Sequence, residues 1–351
     1  MAELWQQELQ RAIGSVDRLA GYAFLGTDAQ LVENKFRTLV PEYYLNLIDK
    51  SDPEDPIAKM AFPEVKELLS GSTALRDPIG DLSRQVAPRL THRYPDRALL
   101  HVTNLCPMYC RFCFRKNLMN EKEEELYVGD FQPAANYLSA HPAVRELIFS
   151  GGDPWMLGDH KLSELVDLFL KSAPQLEILR FHTRMPVTLP ARITDGLISA
   201  ISRMGKKTIV VTHFNHPREI SEVAKRGISK LANAGITVLN QSVLLKGVND
   251  RTEILQDLFR GLGSIGVLPY YLHHCDLVSG AEHFRTSITA GQALWRSLRG
   301  TIPGYLLPEY VLEIPGAIGK VPVAEPYVKA LGGGVYSLEH HGTKVEYRDP
   351  V

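Results

Sequence analysis

The sequence predicts an α/β protein, a partial (βα)6 parallel barrel preceded by an N-terminal helical arm. Three observations carry that expectation. Apolar, β-rich runs begin near Ala98, Glu146, Ile178, Thr208, Ile236 and Val267; after a longer first interval they recur roughly every thirty residues, the length of a βα unit. Amphipathic segments such as Leu162 to Leu170 and Ile254 to Leu262 lie between them, with the three- and four-residue spacing of a helix packed on a sheet. Finally, a polar cluster follows every run, where parallel-barrel enzymes build their sites.

The clusters are a cysteine loop after the first run, Ser150-Gly151-Gly152-Asp153-Pro154 after the second, and His182-Thr183-Arg184 after the third. His213-Phe214-Asn215-His216, Asn240-Gln241-Ser242 and His273-His274-Cys275-Asp276 follow the remaining three. One such cluster could be a capping loop. Six in register argue for a single site at one barrel mouth.

The first ninety residues lie outside the repeat. Leu4, Trp5, Leu9, Ile13, Val16 and Leu19 recur at helical intervals, and Leu31, Phe36, Leu39, Tyr43, Leu47 and Ile48 do so less regularly, which predicts two amphipathic helices. The stretch Ser51-Asp52-Pro53-Glu54-Asp55-Pro56 and the turn Asp77-Pro78-Ile79-Gly80 interrupt them. The division expected is an arm over 1–90, a barrel over 91–300 and a C-terminal segment over 301–351. The arm carries no assigned chemistry and is expected to pack as a cap or to form oligomer contacts.

A chain of 351 residues is ample for a buried core. Its net charge of −1, with both signs interspersed, gives no reason to expect nucleic acid or an anionic membrane as partner. No apolar run approaches the ~20 residues that span a bilayer, and Met1 to Glu8 lacks a basic region followed by an apolar one. A soluble, cytoplasmic protein is expected. Four cysteines do not make a disulfide scaffold in a chain of this length.

Three of those four fall in Cys106-Pro107-Met108-Tyr109-Cys110-Arg111-Phe112-Cys113, directly after the first run. Three thiolates so close can hold one metal centre. Structural zinc wants four ligands, and the remaining thiol, Cys275, is far along the chain, so zinc would need a distant fourth ligand. A cubane iron–sulfur cluster fits better, with one iron left open for a small molecule.

This C-x3-C-x2-C loop resembles that of the radical S-adenosylmethionine (SAM) enzymes. With His92-Arg93-Tyr94-Pro95-Asp96-Arg97, Arg115 and Pro315-Gly316-Ala317-Ile318-Gly319-Lys320, the resemblance narrows to the lysine 2,3-aminomutases, from about Pro41 to Val323. It implies a barrel of radical SAM type, a [4Fe-4S] cluster on Cys106, Cys110 and Cys113, SAM and pyridoxal 5′-phosphate (PLP). Gly151, Gly152 and Asp153 match SAM contacts, with Asp where the family has Glu; so do Gln241 and His213, with His216 as the neighbouring alternative. Lys320 matches the lysine that binds PLP, on a turn expected to be flexible through Gly316 and Gly319 but stiffer than the family's Gly-rich loop, because Ala317 and Ile318 replace two of its glycines. Arg93, Tyr94 and Arg97 match the other PLP contacts, and two arginines four apart suit a phosphate dianion.

Arg115 matches the residue that grips the substrate carboxylate, a task for a planar fork; Lys116 beside it is expected to solvate the loop. Asp276 and Glu313, the latter replacing the family's Asp, match the pair that holds the distal amine of lysine. As an empty carboxylate pair they would repel each other, which favours a cationic substrate. The implied activity is interconversion of L-α-lysine and β-lysine by a radical amino migration, an isomerase reaction. The implied partners are an electron donor such as flavodoxin or ferredoxin and, in a homo-oligomer, further copies of the chain. Glutamate 2,3-aminomutase is the rival within the fold, supply of β-lysine to elongation factor P the rival role, and a non-catalytic cluster protein the rival of another class.

Overall fold

The computed structural model describes residues 3–19, 28–69, 71–119, 125–324, 327–333, 335–340 and 343–349. Among these, ten strands form one sheet in strict chain order. β1 (Gln85–Ala87) and β2 (Leu90–Tyr94) are antiparallel to each other, and β2 runs antiparallel to β3 (Arg97–Thr103). From β3 the sheet is parallel through β4 (Glu146–Gly151), β5 (Ile178–His182), β6 (Lys207–Thr212), β7 (Thr237–Leu244), β8 (Leu268–His274) and β9 (Glu309–Ile314). β10 (Gly319–Pro322) returns antiparallel on β9.

The six expected strands all form within a residue of their expected starts, and β9 adds a seventh. Its sequence, Glu309-Tyr-Val-Leu-Glu-Ile, is short, charged at its first and fifth positions and flanked by Pro308 and Pro315, so it reads as loop until the neighbouring β8 edge is there to pair with it.

Helices Gln132–Ala140, Asp159–Ser172, Asp195–Ile201, Glu222–Asn233, Thr252–Ser264 and Ile288–Leu298 supply the crossovers between consecutive parallel strands. Leu162, Leu165, Val166 and Phe169 of the second, and Leu255, Leu258, Phe259 and Leu262 of the fifth, are the buried positions, one apolar stripe each against the sheet. Thr194, Ser221 and Ser287 cap the third, fourth and sixth through their hydroxyls. Phe149 of β4 stacks on Phe181 of β5 at 4.6 Å and meets Phe169 edge-on at 6.3 Å, locking sheet to helix.

The arm is helical but broken. In place of two long helices it has Leu4–Gln10, Ala29–Lys35, Glu42–Leu45 and Pro56–Ala61. Ile13 and Val40 pair as a short bridge, with Gly14 and Pro41 beside them interrupting the helical backbone. Asp55 caps the last helix through the amides of Ile57 and Ala58, both at 2.8 Å. The arm lies against the loop after β6: Tyr44 donates to Glu219 at 2.7 Å, Tyr43 meets Ser221, and Arg218 pairs with Asp55 at 2.6 Å.

Beyond the barrel, β11 (Val328–Gly332), β12 (Val335–His340) and β13 (Thr343–Arg348) form a separate antiparallel sheet. No helix among the described residues is long and apolar enough to cross a membrane.

Candidate active site

The sheet curls around a cavity of about 390 Å³. Residues on every strand from β2 to β10 line it, except that β6 contributes through His213, just past its end. The six strand-end clusters converge here, together with the three clustered cysteines and Lys320.

The cysteine loop is fastened from two sides. On the barrel side, the Gly152 amide donates to the Thr103 carbonyl at 2.5 Å and the Asp153 amide to that of Leu105 at 2.9 Å. A Cβ on Gly152 would stand 2.3 Å from the Leu105 oxygen, and Gly151 has φ +111° with its hypothetical Cβ 2.8 Å from the Thr103 oxygen. Both glycines are therefore required by close backbone approach, whatever else they touch. Gly152→Ala should push Leu105 away and displace Cys106 next to it. We expect a loss of about 1–3 kcal/mol of stability with reduced iron content after reconstitution, measured by thermal melting and iron analysis; unchanged iron would mean that the loop is held elsewhere.

On the arm side, Glu67 is buried and receives both Arg111, Nε at 2.9 Å and a second nitrogen at 2.5 Å, and Lys116 at 2.7 Å. Arg111 also donates to the Arg37 carbonyl, and its amide to that of Met60. Lys116 does not solvate the loop. It is buried, and its Nζ also donates to the carbonyls of Arg111 at 3.0 Å and Gly280 at 2.7 Å. Burial, only partly offset by Glu67, lowers its pKa to about 8.

All three cysteines are free thiols. Burial pushes the Cys106 and Cys113 thiols up, Cys113 to about 11, so ligation as thiolates draws on the charge of a bound metal. Among the described residues no three His, Cys, Asp or Glu side chains converge as they would round a single ion. The donor set, three soft sulfurs on one loop facing a shared cavity, suits an iron–sulfur cluster.

Arg184, within a cluster the sequence singled out but with no role assigned, proves central. One guanidinium nitrogen donates to Cys110 Sγ at 2.9 Å, another reaches Glu219 at 2.5 Å and Tyr44 Oη at 3.3 Å, and Nε donates to the His213 carbonyl at 3.2 Å. Asp153 lines the cavity, yet both its oxygens are engaged: it accepts from Thr183 Oγ1 at 2.8 and 2.9 Å, from the Arg184 amide at 2.8 Å and from the Trp155 amide at 3.1 Å. It ties the end of β4 to that of β5, and burial raises its pKa to about 6.

His213 lines the cavity and is kept neutral, with burial lowering its pKa to about 3. The Gln241 amide nitrogen donates to its Nε2 at 2.9 Å. His216 instead accepts the Arg218 amide through Nδ1 at 3.2 Å as a helix cap, and it is absent from the cavity wall.

Arg115 is buried and points into the same space. Nε meets Asp81 at 2.6 Å, and a terminal nitrogen reaches Ser150 Oγ at 3.2 Å. Burial pushes Asp81 up, but the charge and hydrogen bond of Arg115, together with the neighbouring His101 and Arg93, outweigh it and leave the carboxyl below its ordinary range. Nothing in the sequence marked Asp81 beyond its place after a Pro-Ile-Gly turn.

Lys320 is not on a flexible turn. It lies in β10 directly opposite Glu313 in β9, and the preceding turn is held tightly: Ala317 is buried with φ 63°, and a Cβ on Gly80 would stand 2.6 Å from its Cβ. Lys320 Nζ lies 2.8 Å from Glu313 Oε2, and its amide donates to Tyr94 Oη at 3.4 Å. Arg93 approaches Glu313 Oε1 at 2.6 Å, close as an ion pair though too oblique for a hydrogen bond. Arg97 stacks on the Tyr94 ring at 3.9 Å and pairs with Asp96 at 2.7 Å.

Glu313 and Asp276 are consequently not a free carboxylate pair. Glu313 is held by two cations, while Asp276 is raised to about 7 by burial and then by the Glu313 charge. The grouping of an amine, two guanidinium groups and an aromatic ring on one wall fits an aldehyde-bearing aromatic phosphate. His182 Nε2, buried on the cavity wall without a partner, leaves a polar atom for a ligand to satisfy.

Comparison with known proteins agrees with this geometry. Residues 100–258 match the Radical SAM superfamily model. The L-lysine 2,3-aminomutase of Clostridium subterminale is 38% identical over 353 residues, covering 99% of this chain and 84% of that enzyme. That of Escherichia coli (strain K12) is 35% identical over 326 residues, 92% of this chain and 94% of that one. A solved radical SAM methyltransferase from Sphaerobacter thermophilus covers 64% of this chain and 68% of its own at a TM-score of 0.44 and 17% identity, a loose likeness. With an identity above one third to the two aminomutases over nearly its whole length, the chain belongs to the lysine 2,3-aminomutase family of radical SAM enzymes.

Proposed function

We propose that the protein is a 2,3-aminomutase that interconverts L-α-lysine and β-lysine, using a [4Fe-4S] cluster, SAM and PLP. The observation that carries this reading is one cavity that brings together the three cysteines, the Lys320 amine beside Arg93, Tyr94 and Arg97, the Arg115 guanidinium and the carboxyl groups of Asp276 and Glu313. When bound, the cluster and SAM would supply a carbon radical for hydrogen abstraction, and PLP would supply a conjugated carbonyl carbon to carry the substrate nitrogen while it passes from Cα to Cβ.

The chain's own residues divide the remaining work. Cys106, Cys110 and Cys113 hold the cluster. Gly151, Gly152, Asp153, His213 and Gln241 hold SAM, with Asp153 acting chiefly as the brace that shapes the loop. Lys320, Arg93, Tyr94 and Arg97 hold PLP. Arg115, kept in place by Asp81, takes the substrate carboxylate through its fork, and Asp276 with Glu313 takes the distal ammonium. The buried walls exclude water, which a primary carbon radical must not meet. The arm (1–90) braces the cysteine loop, the barrel (91–300) carries the cluster and SAM, and the segment 301–351 supplies the PLP lysine. A cytoplasmic homo-oligomer reduced by flavodoxin or ferredoxin completes the reading.

Anaerobic turnover of lysine against glutamate, with amino acid analysis of the products, tests it. A glutamate side chain would add negative charge beside Asp276 and Glu313, so lysine should be strongly preferred; equal turnover would overturn the substrate assignment. Losing one partner of a buried charged contact costs on the order of 2–5 kcal/mol, so Asp276→Ala should weaken lysine kcat/KM by at least ~30-fold with cluster and PLP content intact. The sign with pH follows from the raised carboxyl. Asp276 is protonated below about 7 and ionised above it, so lysine kcat/KM should rise as pH increases through that region. Asp276→Asn should flatten that rise; a variant that keeps it would exclude Asp276 as the titrating group.

A further inference from the structure

We propose that Glu313 is a shared carboxylate, held by Lys320 until PLP is bound and released to the substrate's distal ammonium only then, so that cofactor loading gates substrate recognition. This rests on the reading of Glu313 as an ammonium-binding group and adds when it becomes available.

The register of the β9–β10 hairpin makes the contact between Glu313 and Lys320 a built feature. Directly opposed residues of an antiparallel pair share a face, and Glu313 stands opposite Lys320. Both side chains line the cavity. The Glu313 side chain is only 3% exposed and the Lys320 side chain 27%, so the carboxylate has little water to turn to and needs a cation. It has two, Lys320 at 2.8 Å and Arg93 at 2.6 Å. An incoming ammonium therefore finds Glu313 already neutralised, with a second and third positive charge beside it.

Of these two cations, only Lys320 has a charge that the cofactor can remove. A guanidinium stays protonated. The Lys320 ammonium gives one proton to solvent, and its freed electron pair attacks the aldehyde carbon. The carbonyl oxygen leaves as water with the two remaining nitrogen hydrogens, so the nitrogen ends bonded to carbon and uncharged. That step takes the Lys320 ammonium away from Glu313, and an arginine recruited to the phosphate would leave it further exposed. The carboxylate then lies next to Asp276 with a cation missing, and a primary ammonium on the substrate side chain replaces the one that was lost. Before loading, the same contact opposes attachment, because the Lys320 nitrogen must leave the Glu313 carboxylate 2.8 Å away to reach an aldehyde carbon.

The test uses full-length protein with its cluster reconstituted anaerobically and stripped of PLP. Attachment is followed by the absorbance of protein-bound PLP and by borohydride trapping, and lysine binding is followed by calorimetry with and without PLP. Gating predicts that Glu313→Gln attaches PLP at least ~5-fold faster, and that the gain in lysine affinity on adding PLP is at least ~5-fold smaller in Glu313→Gln than in wild type, a comparison in which the bond from lysine's own α-amine to PLP cancels; both figures are the modest end of what an ion pair with one partly exposed member is worth. The same variant should bind lysine more weakly once loaded.

Unchanged or slower attachment in Glu313→Gln, together with weakened lysine binding, would overturn the gating while leaving Glu313 as the ammonium site. Faster attachment with unchanged lysine binding would instead overturn the ammonium-binding role, and the hand-over with it. Glu313→Asp, with a shorter reach, serves if the glutamine variant does not retain its cluster absorbance; it should also load faster, and loading at the wild-type rate counts against the proposal.

Discussion

Replacing Cys106, Cys110 or Cys113 with alanine is expected to abolish the brown absorbance of the reconstituted protein and its cleavage of SAM, whereas Cys275→Ala should retain both. The three loop cysteines line the cavity, and Cys275 does not. Cys275 is buried in the apolar core, where burial and then the neighbouring Asp276 carboxylate push its thiol far up from its ordinary value, the environment of an inert structural cysteine. A cluster held by three thiolates has none to spare, so each loss should take iron below detection rather than lower an affinity. Cys110→Ala carries a further cost, since it strips Arg184 of its sulfur acceptor. Iron analysis and visible spectroscopy decide the matter, and loss of iron in Cys275→Ala would remove the case for an open coordination site.

Lys320→Ala should give a protein with normal iron and SAM cleavage but no PLP that borohydride can trap covalently, and with lysine turnover reduced to background. The separation is expected because the hydrogen bonds described for the cysteine loop run to Glu67, Thr103, Leu105 and the β4 end, whereas β10 pairs with β9. Peptide mapping after reduction provides the check. Lys116, behind the cysteine loop, has its pKa lowered to about 8 by burial, which makes it the natural competitor for the label. Its Nζ, however, is tied to three acceptors in a buried site and cannot reach a carbonyl without breaking them. Label on Lys116 in the wild-type protein would mean that the cofactor site has been placed on the wrong wall.

The barrel was legible in the sequence because its signal is local. Apolar runs, amphipathic spacers and polar strand ends each occupy a few consecutive residues, and strands that pair in chain order need no long-range bookkeeping. The site residues that matched motifs, from Cys106 to Lys320, line the cavity for the same reason. What could not be read was pairing across distance. Glu67 carries nothing in its neighbourhood to mark it as the counter-ion of Arg111 and Lys116, forty-four and forty-nine residues away. Asp81 with Arg115 and Tyr44 with Glu219 are of the same kind. The arm therefore looked like a cap, although it supplies much of what holds the cysteine loop still. Lys320 was misplaced on a flexible turn because glycines at 316 and 319 suggest mobility, whereas Gly80 and Ala317 pack the turn closed.

The consecutive order of the ten strands has a consequence for how the protein is made. Each new strand emerging from a ribosome finds its only required neighbour already in place, so the sheet can lengthen from β1 toward β10 without waiting for distant sequence. The arm and the cysteine loop come first, and Asp276, Glu313 and Lys320 come last. A nascent chain that has extended through β7 already carries every sulfur ligand and the arm-side and β4-side braces of the cysteine loop, lacking the contacts of Lys116 with the Gly280 carbonyl, Asn117 with that of Ser279 and Phe112 with the Phe284 ring. It does not yet have Lys320 to receive PLP. Synthesis itself then imposes a sequence in which the half of the cavity that meets iron takes shape before the half that meets substrate, and a ribosome stalled before residue 309 should yield a product that takes up iron and leaves PLP in solution.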